Sequence, residues 1–238
     1  MPRHGGRVPK GPRPAERHSA SRVALCCALR LAATVLVLGA VGCATTGSIR
    51  GTLATPPPAA GAAGALVARG APGVDLASVT NAVVFVVRNR ESGPRSARWW
   101  KRGRMLQSPA GFEPQVIAVP AGTTVRFENR DSIYHSAFSV ATAKRFDTGL
   151  YAPGQGRRVL FDCPGVVNVF CELHLEAAGF VVVRPDRLFA RPNALGEFRL
   201  PRLAEGMYTV KVWHPIYGET SQRVNVSRGA RTIVHLAL

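Results

Sequence analysis

The chain has 238 residues, 46% of them apolar, with 24 Gly, 18 Pro and a formal net charge of +17. A chain of this length can bury one large or two small cores, and its many turn-forming residues favour β structure over helices. The basic residues are spread along the sequence and are not clustered with interleaved aromatic residues, which argues against a nucleic-acid partner.

Residues 1–43 have the pattern of an export signal. A basic stretch is followed by an apolar run from Leu31 to Val41 and by small residues before Cys43. The apolar run is shorter than the ~20 residues that a spanning helix needs. We expect a periplasmic or other extracytoplasmic location, with membrane attachment through a lipidated Cys43 or through an uncleaved N-terminal segment. Ala40 stands where a lipoprotein box usually has Leu, so both alternatives stay open.

The residues after this segment remain basic. They include 24 Lys or Arg and 13 Asp or Glu, for a net charge of +11. Such a charge steers a protein toward acidic partners or anionic surfaces. Only two cysteines, Cys163 and Cys171, lie beyond Cys43. Strand geometry separates them by about 16 Å, which exceeds disulfide reach, so Cys171 is predicted to be a free thiol.

Residues 44–90 contain two predicted strands. Ser48–Leu53 is a short candidate, and the apolar run Asn81–Val87 is a stronger one. A Pro/Ala/Gly-rich loop lies between them. The basic segment that follows contains Trp99 and Trp100, which would point to opposite faces of a strand, so we expect one of them to be buried.

Two later stretches carry side chains that can bind a metal. An alternating strand, Thr124–Asn129, precedes His135, and a second strand ends at Cys171 with His174 three residues on. Cys171 shares a strand face with two valines and is therefore predicted to be buried. A structural zinc site would need a second such ligand pair. One thiolate and two imidazoles suit a trigonal mononuclear copper centre.

The order of elements from Phe112 to Val183 resembles the cupredoxins, the type 1 blue-copper proteins of the amicyanin and plastocyanin-like group. The resemblance includes the run Val-Ile-Ala-Val-Pro-Ala-Gly-Thr-Thr-Val-Arg-Phe-Glu-Asn, the His135 loop and the Cys171 loop. It implies a Greek-key β-sandwich with one copper ion per chain, held by His135, Cys171 and His174. It also implies electron transfer and not catalysis, with a redox partner protein such as a c-type cytochrome.

The chain departs from the cupredoxin pattern at two points. Ala177 and Gly179 stand at the two spacings where the family places a weak axial Met, and Ser136 replaces the usual Asn after the first His. Loss of the thioether should raise the reduction potential if the vacated position stays dry. An oxygen ligand there, from water or Glu176, would lower the potential instead.

The chain after Val183 is predicted to form a second set of short strands. This part resembles the carboxypeptidase regulatory-like (transthyretin-like) β-sandwich in the runs Asn-Ala-Leu-Gly-Glu-Phe-Arg-Leu and Glu-Gly-Met-Tyr-Thr-Val. The two strands that precede these runs in that family have candidates upstream, at Gly47–Leu53 and Ala82–Val86. The strands that follow Val183 are Gly196–Leu200, Gly206–Trp213, Gln222–Val226 and Thr232–Leu238.

The predicted fold is therefore all-β, with a cupredoxin Greek-key β-sandwich and a second, smaller transthyretin-like β-sandwich. Residues 91–185 form the copper domain, and residues 186–238 belong to the second sandwich together with part of 44–90, which makes the copper domain an insertion. The alternative, in which residues 81–87 form the first strand of the copper domain, stays open.

The remaining candidate residues give weaker signals. His214 at a turn and His235 in a strand are expected to be packing or surface residues. The sequence contains no Ser-His-Asp order, phosphate-binding Gly loop or paired acidic arrangement, which argues against hydrolysis and group transfer. Two other functions stay open. One is a copper-handling or small-molecule-reacting copper site, and the other is a copper-free β-sandwich binding module.

Overall fold

The computed structural model describes residues 46–56, 75–88, 102–174 and 177–238. The predictions for residues 1–43, Cys43, Trp99, Trp100 and Glu176 lie outside these residues. Apart from one 3₁₀ turn at Val79–Asn81, the regular elements in the described residues are β-strands, which confirms the all-β prediction. Within the same ranges there is no apolar helix long enough to span a bilayer.

Seventeen strands lie in the described residues. In chain order they are β1 (Thr46–Ala54), β2 (Val83–Arg88), β3 (Arg102–Ser108), β4 (Gly111–Glu113), β5 (Val116–Pro120), β6 (Thr123–Asn129), β7 (Phe138–Ala141), β8 (Lys144–Asp147), β9 (Gly156–Phe161), β10 (Gly165–Phe170), β11 (Ala178–Arg184), β12 (Phe189–Ala190), β13 (Glu197–Arg199), β14 (Leu203–Ala204), β15 (Gly206–His214), β16 (Gly218–Val226) and β17 (Arg231–Ala237).

These strands form four sheets. Sheet 1 has the order β13-β1-β14, with β17 also paired to β1, and sheet 2 has the order β12-β2-β15-β16. Sheet 3 has the order β5-β11-β10-β7-β8, and sheet 4 has the order β4-β3-β6-β9. Sheets 1 and 2 enclose one apolar core, and sheets 3 and 4 enclose another. We call these pairs sandwich 1–2 and sandwich 3–4.

A third apolar core joins the two sandwiches. It lies between sheets 2 and 3, so the four sheets are stacked in numerical order. Strand β2 contributes Val84 and Val86 to the core of sandwich 1–2, and Val83 and Phe85 to this middle core. A strand buried on both faces needs a continuous apolar run, which is what residues 82–87 supply.

Strand β11 is buried in the same way. Val181 and Val183 face the core of sandwich 3–4, whereas Phe180 and Val182 face the middle core. The guanidinium of Arg184, at the end of β11, lies 3.7 Å from the ring centroid of Phe85. The strand that leads out of the Cys171 loop is therefore held between two cores.

Sheets 1 and 2 combine strands from both ends of the described chain. β1 pairs in parallel with β17, and β2 pairs antiparallel with β15. The intervening strands, β3 to β11, make up sheets 3 and 4 entirely. Strand β2 thus lies in sheet 2, and the chain leaves sandwich 1–2 after β2 and returns to it at β12.

The two histidines of sandwich 1–2 make structural contacts. His214 is buried, its Nε2 lies 3.1 Å from the carbonyl oxygen of Ser78, and its Nδ1 accepts from the backbone N–H of Ile216. Burial lowers the pKa of His214. His235 is exposed and hydrogen-bonds the hydroxyl of Thr52. Both residues are packing or surface residues, as expected.

Candidate metal centre

Two loops at the same end of sandwich 3–4 carry the predicted ligands. One follows β6 and contains His135, whose backbone forms a two-hydrogen-bond bridge with Tyr151. The other begins where β10 ends and contains Cys171 and His174. Cys171 is 1% exposed and belongs to the same core as Val167 and Val169, which is the alternation that the sequence indicates.

The structure brings the three predicted ligand atoms together. Cys171 Sγ lies 3.6 Å from His135 Nδ1 and 3.7 Å from His174 Nδ1. The two imidazole rings are stacked with their centroids 4.7 Å apart. All three ligand atoms lie within 4.8 Å of one another. Metal bonds of about 2.0–2.3 Å keep ligand atoms within about 4.6 Å of one another, so a small adjustment closes this set on one ion.

An acidic side chain orients His135. The Nε2 atom of His135 lies 3.0 Å from Asp131 Oδ2, and both side chains are almost fully buried. The hydrogen bond from His135 holds the pKa of Asp131 below its usual value. The ionised carboxylate accepts a hydrogen bond from Nε2–H of the neutral ring, so that Nδ1 carries no proton and is free to bind a metal. The spacing of four residues between this acid and His135 was the available sequence signal, and sequence reasoning missed it.

Asn129 fixes the shape of the His135 loop. Its Nδ2 donates to the carbonyl oxygens of Ile133 at 2.7 Å and Tyr151 at 3.1 Å, and its Oδ1 accepts from the Asp131 N–H at 2.9 Å. Asn129 is fully buried at the end of β6. This one side chain therefore sets the position of Asp131 and, through it, the orientation of the His135 ring.

Ser136 joins the two ligand loops. Its backbone N–H donates to Cys171 Sγ at 3.5 Å, and its hydroxyl oxygen accepts from the Glu172 N–H at 3.0 Å. A hydrogen bond to sulfur favours the thiolate, which is the form that binds metal. The replacement of the usual Asn by Ser therefore leaves a tie between the loops in place.

Ala177 and Gly179, the two positions considered for an axial Met, make packing contacts. Ala177 is buried, and its N–H donates to the His174 carbonyl oxygen at 3.0 Å. At Gly179 an added Cβ would lie 3.0 Å from Met105 Cε and 3.0 Å from Phe112 Cγ. Neither position supplies a ligand atom, as expected.

A buried phenol lies in the same core as the thiol. The Tyr151 ring is 1% exposed, and its hydroxyl has no hydrogen-bond partner in the described residues. Burial and the charge of Cys171 raise the pKa of Tyr151, and Arg157 opposes this shift. The phenol therefore stays neutral and adds no negative charge beside the thiolate.

The outer side of the centre is partly open. His174 is partly exposed, whereas His135 and Cys171 are buried. Four large apolar side chains in the surrounding loops are about half exposed, and we call them the loop patch: Ile133, Tyr134, Leu150 and Leu173. Each lies one or two residues before a metal ligand or before the bridging Tyr151. The edge of the His174 ring is thus the part of the ligand set nearest to solvent.

Comparisons with known proteins identify likenesses to solved structures only. No protein-family model and no curated protein matches the chain. A novel purple cupredoxin from Nitrosopumilus maritimus is 23% identical over 34% of this chain and 99% of its own, with a TM-score of 0.32. A Cu(I) amicyanin variant is 19% identical over 42% of this chain and 98% of its own, with a TM-score of 0.33.

A Cu-containing nitrite reductase from Thermus scotoductus SA-01 is 26% identical over 35% of this chain, with a TM-score of 0.33. This chain spans only 22% of that enzyme. TM-scores near 0.3 do not assign the chain to a family. Its class follows from its own fold and site, which define an all-β protein of stacked sheets with a Cys/His₂ group suited to a metal ion.

The Asp131 contact predicts a loss of metal affinity on substitution. Asp131→Asn removes the charge that orients His135 and should weaken metal binding by about 10–100-fold, the usual cost of losing such a partner. Competition with a chelator of known affinity measures the change. Asp162→Asn is the matched control, because the partner of its carboxylate within the described residues is Lys144, at 3.2 Å, and not a metal ligand. Equal affinities for both variants would contradict the assigned role of Asp131.

Proposed function

We propose that the protein binds one copper ion per chain through His135, Cys171 and His174 and serves as an exported electron-transfer protein. The observation that carries this proposal is the convergence of a buried thiol with two imidazole Nδ1 atoms at one end of sandwich 3–4. When bound, copper would supply a one-electron couple. The chain's own residues hold the ligands, exclude water from the sulfur and fix the imidazole tautomer.

The ligand set favours copper over zinc. Structural zinc sites are closed by four Cys, His or carboxylate ligands, and catalytic zinc sites hold a water molecule at an open fourth position. In the described ranges, the only group of three His, Cys, Asp or Glu side chains with converging ligand atoms is this one, and it has no fourth member. Two imidazoles and one thiolate in a trigonal arrangement are typical of copper sites that transfer electrons.

Rigidity of the ligand loops favours electron transfer over catalysis. Asp131 orients one imidazole, Asn129 fixes its loop, and Ser136 ties that loop to the Cys171 loop. A ligand set held in this way changes little between the two oxidation states, so little energy is spent on reorganisation. The partly exposed His174 edge, inside the loop patch, is the proposed route for the electron.

The outer face of sheet 4 carries a group of arginine side chains, which favours an acidic redox partner. Arg104, Arg126 and Arg158 are direct neighbours across three adjacent strands. Arg102 lies on the same face of β3, and Arg130 lies just beyond the end of β6. We call these five side chains the arginine face. Like charges placed opposite one another on a sheet are destabilising unless an opposite charge compensates them.

One carboxylate organises the arginine face. Glu128 forms ion pairs with Arg104 at 2.7 Å, Arg126 at 3.2 Å and Arg130 at 3.3 Å. Burial raises the pKa of Glu128, but hydrogen bonds and charges from these arginines outweigh it and lower the pKa. The close approach of Arg126 to Gly156, where a Cβ would lie 2.8 Å from Arg126 Nε, holds that guanidinium against the sheet.

The arginine face therefore carries four more positive than negative charges in a partly fixed arrangement. It adjoins the end of sandwich 3–4 that carries His135 and Cys171, which we call the metal end. Arg130 begins the loop that leads to His135. We propose that an acidic redox protein, such as a c-type cytochrome, docks over the arginine face and the loop patch. Complementary charge speeds the encounter of such partners and makes it sensitive to salt.

The location and the role of sandwich 1–2 belong to the same proposal. Export to the periplasm, with attachment through Cys43 or an uncleaved segment, would put the protein among exported redox partners. We also propose that residues 91–185 are an insertion in a transthyretin-like sandwich, supported by the pairing of β1 with β17 and of β2 with β15.

A second candidate function is a copper-handling site or one that reacts with a small molecule. Ala177 and Gly179 supply no axial ligand, which favours access by an added molecule if that position is open. Azide or nitrite added to the copper-loaded protein distinguishes the functions. A spectral change on addition supports the second candidate, and an unchanged spectrum supports electron transfer. A copper-free binding module is separated from both by metal content.

The copper proposal predicts a coloured protein. Cu(II) added at neutral pH should bind with a stoichiometry of one and give an intense visible charge-transfer band. Cys171→Ser should abolish the band, because the band arises from the thiolate. Binding should weaken as the pH falls, since the imidazoles must be neutral and the thiol ionised. Cys163→Ser is the matched control and should keep the band, because Cys163 is the second cysteine of the described residues and lies outside the ligand group. A colourless wild type without stoichiometric copper would refute the proposal.

The arginine face predicts charge-sensitive electron exchange. Arg158 forms no ion pair in the described residues, so Arg158→Glu changes the charge of the face without breaking the Glu128 cluster. The variant should exchange electrons with an acidic c-type cytochrome at least about tenfold more slowly at low salt, with a smaller salt dependence. Arg199→Glu, an equal charge change on the far sheet 1, should leave the rate close to wild type. Stopped-flow kinetics measures both, and equal slowing by the two variants would argue against docking at the arginine face.

A further inference from the structure

Gln107 is a buried polar residue at the metal end of sandwich 3–4. It lies on the inward face of β3 and is 1% exposed. Its cross-strand neighbours are Phe112 on β4 and Asn129, the last residue of β6. Its backbone carbonyl oxygen accepts from the Arg130 N–H at 2.7 Å. Gln107 is therefore level with the start of the His135 loop.

One contact fixes the orientation of the Gln107 amide. Nε2 donates to the Ser136 carbonyl oxygen at 2.9 Å. The reverse orientation would bring two oxygens together, so Oε1 must be the atom that points away from that carbonyl. Oε1 is buried and has no hydrogen-bond partner in the described residues. A buried acceptor without a partner needs an explanation, and a bound ion is one of the groups that can satisfy it.

The Gln107 amide is hydrogen-bonded to Ser136, a residue that contacts the ligand set. Ser136 directly follows His135, and its N–H donates to Cys171 Sγ. We propose that Gln107 Oε1 is the fourth, axial ligand of the metal, supplied by β3 and not by the loop that carries Cys171 and His174. This inference rests on the proposed copper site.

The β3–β4 hairpin covers the positions that lack the axial Met. Gly111, at the start of β4, has a φ of +99° that favours glycine, and a Cβ added there would lie 3.7 Å from the Cβ of Ala177. The ring of Phe112 packs on Gly179. The element that carries Gln107 therefore covers both small residues, and an amide oxygen is one of the weak axial donors found in trigonal copper sites.

Met105 is the other potential donor on this face of β3, and its position does not favour it. It pairs with Phe127, two residues before the end of β6, whereas Gln107 pairs with the last residue. Its terminal methyl packs at Gly179, and a buried thioether needs no polar partner. Met105 is a core packing residue, and the unpartnered oxygen belongs to Gln107.

An oxygen donor changes the expected redox behaviour. Amide oxygen is a harder ligand than a thioether and stabilises Cu(II) relative to Cu(I). The potential should therefore be lower than that of a three-coordinate site. This is the opposite of what the missing Met alone predicts, and under this proposal the oxygen comes from Gln107.

Three variants of the full-length copper protein test the inference. Gln107→Leu removes the oxygen at similar size, Gln107→Met replaces it with a thioether, and Met105→Leu is the matched control on the same strand face. Midpoint potential, Cu(II) electron paramagnetic resonance and the affinities for Cu(I) and Cu(II) are measured for each. Circular dichroism confirms folding.

Gln107→Leu should raise the midpoint potential, change the resonance spectrum and weaken Cu(II) binding about tenfold or more relative to Cu(I). The midpoint potential of Gln107→Met should fall between those of Gln107→Leu and wild type. The midpoint potential of Met105→Leu should match that of wild type. If Gln107→Leu does not fold, the Gln107→Met potential decides alone.

A wild type that binds no copper refutes the proposed function itself. Copper binding with the same potential and spectrum in the wild type and in the folded Gln107 variants would overturn only the axial assignment. Shifts equal in Gln107→Leu and Met105→Leu would likewise overturn it, because they would reflect general repacking of the core.

Discussion

The metal end of this protein depends on keeping one thiol inside an apolar core while two imidazoles reach it from different loops. A thiolate in such a place is unstable unless opposite charge and hydrogen bonds compensate it. Cys171 Sγ accepts a hydrogen bond from the Ser136 N–H, and it faces the Nδ1 atoms of His135 and His174, between which a bound metal ion would supply the opposite charge. The remaining contacts at this end, through Asn129 and Asp131, serve to hold those groups in place.

The stacking of four sheets gives this end its rigidity. The Cys171 loop joins β10 to β11, and β11 is packed between two cores. Movement of that loop would disturb the middle core, to which sandwich 1–2 contributes Phe85. Sandwich 1–2 therefore supports the ligand loops although it carries none of the three ligands. The proposed electron-transfer role needs such support, because the ligands of a bound copper ion would have to keep their positions when the oxidation state changes.

Local patterns in the sequence predicted the strands and the burial of Cys171, because side-chain alternation along a strand reports which face is buried. The metal ligands could be proposed because His135, Cys171 and His174 lie in two loops that each follow a predicted strand. Gln107 could not, because 29 residues separate it from Ser136 and nothing local marks the parallel register of β3 and β6. The arginine face was hidden for the same reason, as its members come from three strands and are scattered in sequence.

The central claim is that one metal ion binds the thiolate and both imidazoles together. X-ray absorption at the copper edge of the loaded protein tests it directly, because it counts the atoms bonded to the metal and distinguishes sulfur from nitrogen. The account predicts one short sulfur bond and two imidazole nitrogens, with the sulfur lost in Cys171→Ser. A copper site that contains only nitrogen and oxygen, with the wild type and Cys171→Ser giving the same spectrum, would contradict it.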